Sequence, residues 1–342
     1  MIQLHVDGAP VTTENLTQLK TSEIINRAGT MVIGLPPDHP ARDAILAPKA
    51  VITLEEDGEL QFRGRVLSHQ TLTDRQETIT CEGELAFFQD TYVEPAYGPH
   101  SDADSLIRVL VALHNEKADE AHQFTVGSLY SGLRSRKVIT DASDPYIPIF
   151  DVLTGISDSI QADGIEGAFL TAKNGVLSLS YSHLRTTQNI IYGENLISLT
   201  KTGYNSDFCT VLYADGSGDD GTAYSLLSIQ ANPYVVDAEK VAEYGWIAKY
   251  VHFEGVESAQ EVLSKAQTYL SRHNTPTGSR QIKALDRHWI DKAIPRFRAG
   301  DFVKIYSEPH GVYTNQYLQS VDCDWLHPEA NVIEIGNEAK LV

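Results

Sequence analysis

The sequence predicts an α+β, β-rich protein of several domains, and three observations lead there. The chain has 342 residues, more than one ordinary domain of about 100–200 residues accounts for. Much of it alternates apolar and polar residues in short runs set off by Asp-Gly and Asn-Gly pairs, the pattern of antiparallel strands joined by tight turns. Three stretches alone show helical spacing, so helices are embedded among strands.

In order along the chain, Val51–Leu54 runs into Asp57-Gly58, and Leu60, Phe62 and Val66 then alternate with Gln61, Arg63 and Arg65. Ile79, Cys81, Gly83 and Leu85 alternate in the same way, so residues 50–89 read as a meander with one buried and one wet face, as in a sandwich or open barrel. Upstream, Pro36-Pro37-Asp38-His39-Pro40 excludes regular helix and central strand. The composition changes after Glu94-Pro95. Leu106, Leu110 and Leu113 then predict a helix over 104–115, with Ser101 and Asp102 as candidate caps. A second helix is predicted over 149–162, closed by Asp163-Gly164, followed by a hairpin about Asn174-Gly175. From Ile190 the pattern returns to strand through Ile197, Leu199 and Cys209–Tyr213. Ser258 and Glu261 have capping-box spacing ahead of the stripe Val262, Ala266, Tyr269 and Leu270, and Asn274, Pro276 and Gly278 stop that helix. Strands follow at 282–290, 302–306, 317–325 and 332–335.

Charge and composition exclude several function classes. With 27 basic and 46 acidic residues the formal net charge is −19, and every third of the chain is acidic. Tight general binding to nucleic acid replaces counterions with Lys and Arg, so it is not expected here, although acidic walls would let DNA pass without adhering. A hydrophobic fraction of 42% provides apolar surface enough to offset chain entropy. Cys81, Cys209 and Cys323 are isolated and sit in apolar surroundings, which reads as buried free thiols. No basic leader and no apolar run of about 20 residues occurs, so neither a signal peptide nor membrane insertion is expected.

Candidate chemistry is sparse. No HExxH, P-loop, GxSxG or GxGxxG is present. Asp215, Ser217, Asp219 and Asp220 form a weak candidate calcium loop, departing from an EF-hand at its sixth and twelfth positions, Asp220 and Leu226; a solvated turn is the plainer reading. Of twelve histidines, His114, His122 and His183 lie near element ends and read as surface or capping groups. Asp286, His288 and Asp291 cluster near Trp289, but in a strand neighbours point to opposite faces. Arg280, Lys283, Arg287, Lys292, Arg296 and Arg298 make a basic strip in an acidic chain, either a docking face for an acidic copy or neighbour, or a solvated strand face. No catalytic residue and no cofactor is predicted.

Several stretches, in order, resemble the prophage tail family, also called the prophage endopeptidase tail family, which includes N-terminal regions of tail-associated lysins of long-tailed phages. They are Phe62-Arg63-Gly64-Arg65-Val66, the run Cys81–Asp90 with Pro95, and Leu113-His114-Asn115 with Phe124 and Gly127. Further on come Tyr192-Gly193-Glu194-Asn195-Leu196, Tyr244-Gly245-Trp246-Ile247, Tyr269-Leu270 and Ala284-Leu285-Asp286. The series ends with Gly300-Asp301-Phe302-Val303, Asp324-Trp325-Leu326-His327-Pro328 and Ile335-Gly336-Asn337.

The resemblance implies a hub similar to that of phage baseplates, with two related β-barrel tube domains and an α+β insert. The first barrel would span 1–95, the insert 96–190, and the second barrel 191–342, built from strands in 191–255 and 276–342 with a helix at 257–273 packed outside. It further implies a homotrimer at the virion tail tip, made in the host bacterial cytoplasm, whose six barrels join a sixfold tail tube to a threefold tip. Its partners would be distal tail, tail-tube and tip or receptor-binding proteins, and DNA would pass through without specific binding. The role expected is structural. Two alternatives are a peptidoglycan or peptide hydrolase, resting on the family label alone because the chain stops at Val342 just after Ile335-Gly336-Asn337, and a receptor or carbohydrate-binding module using some of the sixteen tyrosines and three tryptophans.

Overall fold

A computed structural model describes residues 2–72, 75–93, 103–129, 146–162, 168–181, 188–201, 208–218, 221–275, 280–328 and 331–335. The N-terminal part is antiparallel: β1 (Ile2–Val6), β2 (Ala9–Val11), β3 (Gln18–Ile24), β4 (Thr30–Leu35), a single helical turn α1 (Arg42–Ile45), β5 (Ile52–Glu56), β6 (Glu59–Thr71) and β7 (Glu77–Gly83). Asp57 and Gly58 both adopt positive φ, 52° and 83°, so the predicted two-residue turn joins β5 to β6. Alternation puts Leu4, Leu19, Met31, Ile33, Ile52, Leu54, Ile79 and Cys81 on one face, where Cys323 and Trp325 complete their core.

All three cysteines are buried, and none is in a disulfide. Burial pushes the thiols of Cys81 and Cys323 up to about 12, with Arg296 only partly opposing this at Cys323. Since the thiolate is the reactive form, Ellman's reagent should leave the native protein unmodified and titrate all three thiols only after denaturation.

Beyond Gly83 the chain turns through a 3-10 segment, Glu84–Asp90, into β8 (Tyr92–Val93). There follow α2 (Ala103–Asn115), β9 (Thr125–Leu129), β10 (Ile147–Pro148), α3 (Ile149–Ala162), β11 (Ala168–Lys173) and β12 (Val176–Tyr181). The Asn174-Gly175 turn forms with φ of 53° and 70°. In the three-stranded sheet β12 lies between β11 and β9 and runs parallel to β9. The helices pack there around Phe87, Phe88, Leu106, Leu110, Phe124, Leu153, Leu177 and Leu179. His114 belongs to this core and not to the surface: Nδ1 meets Thr91 Oγ1 at 2.9 Å, Nε2 meets the His122 carbonyl at 3.1 Å, and the ring lies 4.5 Å from that of Phe88. Burial lowers its pKa, which favours the neutral ring. Ser101, Asp102, Asp163, Gly164 and His183 lie outside the described residues.

The remaining elements are β13 (Ile190–Ile191), β14 (Leu196–Lys201), β15 (Val211–Ser217), β16 (Ala223–Ser225), β17 (Tyr234–Val236), α4 (Ala238–Tyr244), β18 (Ala248–Glu254), α5 (Ala259–His273), β19 (Arg280–Ala284), β20 (Phe302–Ser307), β21 (Val312–Asp324) and β22 (Val332–Ile335). β19 to β22 do not stand apart from the N-terminal strands. β21 pairs antiparallel with β3, Cys323 opposite Thr21, and thereby joins both ends of the chain in one 13-stranded sheet of order β14-β19-β22-β21-β3-β4-β7-β6-β5-β1-β2, with β20 also on β21 and β13 on β20. That sheet has two ends, and no closed barrel is found among the described residues. A second core on the C-terminal strands contains Ile190, Ile282, Phe297, Val303, Ile305, Leu318 and Ile333.

Contacts divide the chain into two compact units, 1–199 with 282–336, and 200–281 with 337–342. The strands at 211–254, expected within the second barrel, form a four-stranded sheet of the second unit in which β15 pairs with β16, β17 and β18. Its core of Leu212, Ala214, Val235, Val256, Val262, Ala266 and Leu270 is completed by α5, so that helix is half of a core of its own rather than an ornament on a barrel. Ser258 caps α5 as predicted, Oγ accepting from the Glu261 amide at 3.2 Å, while Glu261 reaches one residue further back to accept from the Glu257 amide at 2.9 Å. Ser258→Ala should cost about 1 kcal/mol, read as a lower urea midpoint at unchanged m-value. Among the described residues no helix is long and apolar enough to cross a membrane.

Candidate functional site

The basic strip is where the sequence placed its interaction site, and the structure divides it. Arg280 opens β19 with its side chain outside those described, and Lys283 is exposed on the same strand. The strand predicted as far as Ile290 ends at Ala284 because Asp286 caps a 3-10 turn over Arg287–Trp289, its Oδ1 accepting from the His288 amide at 3.0 Å. A side chain that captures a backbone donor in this way competes with the sheet ladder. Asp286 also accepts from Gln188 Nε2 at 2.6 Å and the Phe297 amide at 3.2 Å, while His288 Nδ1 donates to the Ile294 carbonyl at 2.7 Å. Asp286 and His288 thus shape the loop, and Asp286 binds the histidine's backbone rather than its ring.

That turn directs the remaining bases onto the N-terminal strands. Glu56, at the end of β5, is only 3% exposed, and receives Lys292 Nζ at 2.5 Å on one oxygen and Arg296 Nε at 2.6 Å on the other. The Arg296 guanidinium is sandwiched between Trp289 and Trp325, 4.3 and 4.6 Å from their ring centres, and such stacking favours guanidinium over ammonium. Burial on its own would raise the Glu56 pKa, but the hydrogen bonds from Arg296 and Lys292 more than reverse this and bring it down to about 2. Arg298 Nη1 meets Glu23 Oε1 at 2.5 Å and its other terminal nitrogen bonds Gln61, while Arg287 pairs with Glu194. Four of the six strip residues are therefore committed within the chain, and three of them, Lys292, Arg296 and Arg298, close a seam between the β19–β22 region and β3, β5 and β6.

Beside the seam lies a cavity of about 360 Å³ walled by Glu23, Gln61, Arg63, Glu84, Phe169 and Arg298. Its charges are also matched from within: Arg63 Nη1 meets Glu84 Oε2 at 2.5 Å, and the two Glu84 oxygens accept the Asn174 and Gly175 amides at 2.7 and 2.8 Å. Glu84 thereby ties the β11–β12 turn to the end of β7.

In the second unit, Asp215 and Ser217 lie on one face of β15, two residues apart. Asp215 Oδ1 accepts from Tyr250 Oη at 2.9 Å and His252 Nδ1 at 2.6 Å, and Ser217 Oγ lies 3.0 Å from His252 Nε2. The other two members of the calcium loop, Asp219 and Asp220, fall outside the described residues. Among the described residues no three His, Cys, Asp or Glu side chains are grouped as metal ligands. The same face carries an aromatic run, Tyr213 to Tyr234 at 5.1 Å and Tyr234 to Trp246 at 5.3 Å between ring centres.

Reading the sequence alone missed Glu56, Glu23 and Glu84 as partners of the bases, and His252 as partner of Asp215 and Ser217. Period-two spacing in β15 marks Asp215 and Ser217 as neighbours, yet the strand that supplies their partner is set by tertiary pairing.

Comparison with known proteins gives a consistent picture. Residues 184–342 match the family described as prophage endopeptidase tail. The fold is similar to that of the 43 kDa tail protein of prophage MuSo2 from Shewanella oneidensis, with TM-score 0.66 at 13% identity over 98% of each chain. It is also similar to a tail protein from Neisseria meningitidis MC58, with TM-score 0.65 at 12% identity over 99% of this chain and 96% of the other. Prophage tail protein gp18 from Listeria monocytogenes EGD-e gives TM-score 0.58 at 13% identity over 99% and 95%. No curated protein matches by sequence.

Proposed function

We propose that this chain, whose residues 184–342 match the prophage endopeptidase tail family, is a structural protein of a phage or prophage tail tip that assembles as a homotrimeric hub. The observation that carries this reading is the span of the likeness: 98–99% of the chain is covered by tail proteins, two of them from prophages, of which 95–98% is covered in turn. The two cores of the 13-stranded sheet support it, since one lobe on β1–β7 and another on β19–β22 give each subunit two sheet lobes joined through β21 and β3. Three subunits would then present six lobes, which suits a junction between a sixfold tube and a threefold tip. In this reading the neighbours are tail-tube and distal tail proteins above and tip or receptor-binding proteins below. The net charge of −19 favours a wall that DNA slides past.

Electron microscopy of the purified chain tests the arrangement directly. Class averages with threefold symmetry about a central opening are the expected result, and isolated compact particles at micromolar concentration would count against the hub.

A further inference from the structure

A different feature of the second unit goes beyond a structural role and does not depend on it. β15 and β18 run parallel with Asp215 opposite His252 and Ser217 opposite Glu254. Alternation along β15 puts Asp215 and Ser217 on the face away from α5, with Gly216 between them turned toward the core, where a Cβ would come within 2.6 Å of Val256 and 2.7 Å of the Phe253 carbonyl. The His252 ring bridges the two side chains, Nδ1 to Asp215 and Nε2 to Ser217.

The protonation pattern follows from the partners. An ionised carboxylate only accepts, so Nδ1 must carry the proton it donates to Asp215. In the neutral ring Nε2 is then a bare acceptor, and the Ser217 hydroxyl must donate to it. Nucleophile, base and orienting acid stand in the order that activates a serine. The arrangement also differs from a second serine–histidine pair among the described residues, Ser307 and His310 at 2.6 Å, where Ser307 is fully buried. Asp215 and His252 are 44% and 40% exposed, so an ester can reach the serine. Tyr250, 62% exposed, sets its ring beside the carboxylate, its hydroxyl donating to Asp215 Oδ1 at 2.9 Å.

We propose that Ser217, His252 and Asp215 form an acyl-transfer site for carboxylic esters. Ser217 Oγ bonds to the acyl carbon while its proton passes to His252 Nε2. The bond from that carbon to the alcohol oxygen breaks, and the leaving oxygen takes the proton from His252. Water then repeats the sequence, releasing the carboxylic acid and regenerating Ser217. Asp215 is a positioning residue that holds the ring in this tautomer.

Mixing the full-length protein with p-nitrophenyl acetate tests the proposal. The expected result is a burst of about one p-nitrophenolate per chain, with an acetyl group located on Ser217 by mass spectrometry. Ser217→Ala should abolish burst and adduct at unchanged Tm. Asp215→Asn should slow the burst at least about tenfold, with Asp215→Glu recovering part of the rate. Absence of a burst, a burst that persists in Ser217→Ala, or an unchanged rate in Asp215→Asn would overturn it.

Discussion

Glu56→Ala should lower the free energy of unfolding by about 3–5 kcal/mol, the range for removing one partner from a buried ion pair. The cost is not that of one hydrogen bond. The variant leaves Arg296, whose side chain is 7% exposed, between two indoles without its carboxylate, and among the described residues no second acid meets that nitrogen. Lys292 matters less, since its side chain is 51% exposed and water can take over its solvation. The same residue sets a pH dependence. Its carboxyl has a folded-state pKa of about 2 against 4.5 when unfolded, so folding favours the ionised form. The contribution is complete above about pH 5 and is lost as pH falls through 4.5 toward 2, worth about 3 kcal/mol when fully present. Urea titrations of wild type and variant should therefore differ most near neutrality, and the gap should shrink steadily below about pH 4.5 toward pH 2. A constant gap across that range would remove Glu56 from the account.

Gly83→Ala is expected to destabilise by about 3 kcal/mol, at the upper end for overpacking. The backbone of Gly83 is ordinary, with φ −70° and ψ 162°, so strain in the dihedrals is not the cause. The cause is space: a Cβ would sit 1.8 Å from the Ala28 carbonyl oxygen, a backbone atom that no rotamer change can move. Gly83 also pairs with Gly64 across β6 and β7, and a Cβ on Gly64 would come within 2.0 Å of the Glu82 carbonyl. Displacing this point moves Glu84, the next residue, off the amides of Asn174 and Gly175. The effect should consequently reach the α2–α3 region as increased amide exchange in β11 and β12, together with the lower urea midpoint. Faster exchange confined to β7 would show that the glycine serves only its own strand.

What the sequence revealed was local. The Asp57-Gly58 and Asn174-Gly175 turns, the helices over 103–115 and 149–162 and the Ser258 cap each depend on residues a few positions apart, and each is present. The pairing of β21 with β3 joins residues some three hundred positions apart, and no short-range pattern encodes it. For the same reason β15–β18 read as further strands of a C-terminal lobe, because alternation records that a strand has two faces and not which sheet it enters. Within the basic strip, sequence showed the charges but not their direction. Asp286 ends β19 early and turns Lys292, Arg296 and Arg298 onto Glu56 and Glu23. The Ser217–His252–Asp215 chain was half visible, in the spacing of two residues on β15, and its histidine arrives from the parallel neighbour β18.

The central claim, that this fold works as a threefold hub, is tested most directly by light scattering across a size-exclusion peak of the purified protein. The account predicts a mass of about 113 kDa, three times the 37.7 kDa of the chain, holding steady as the load is diluted. A mass equal to one chain at the highest attainable concentration would contradict it.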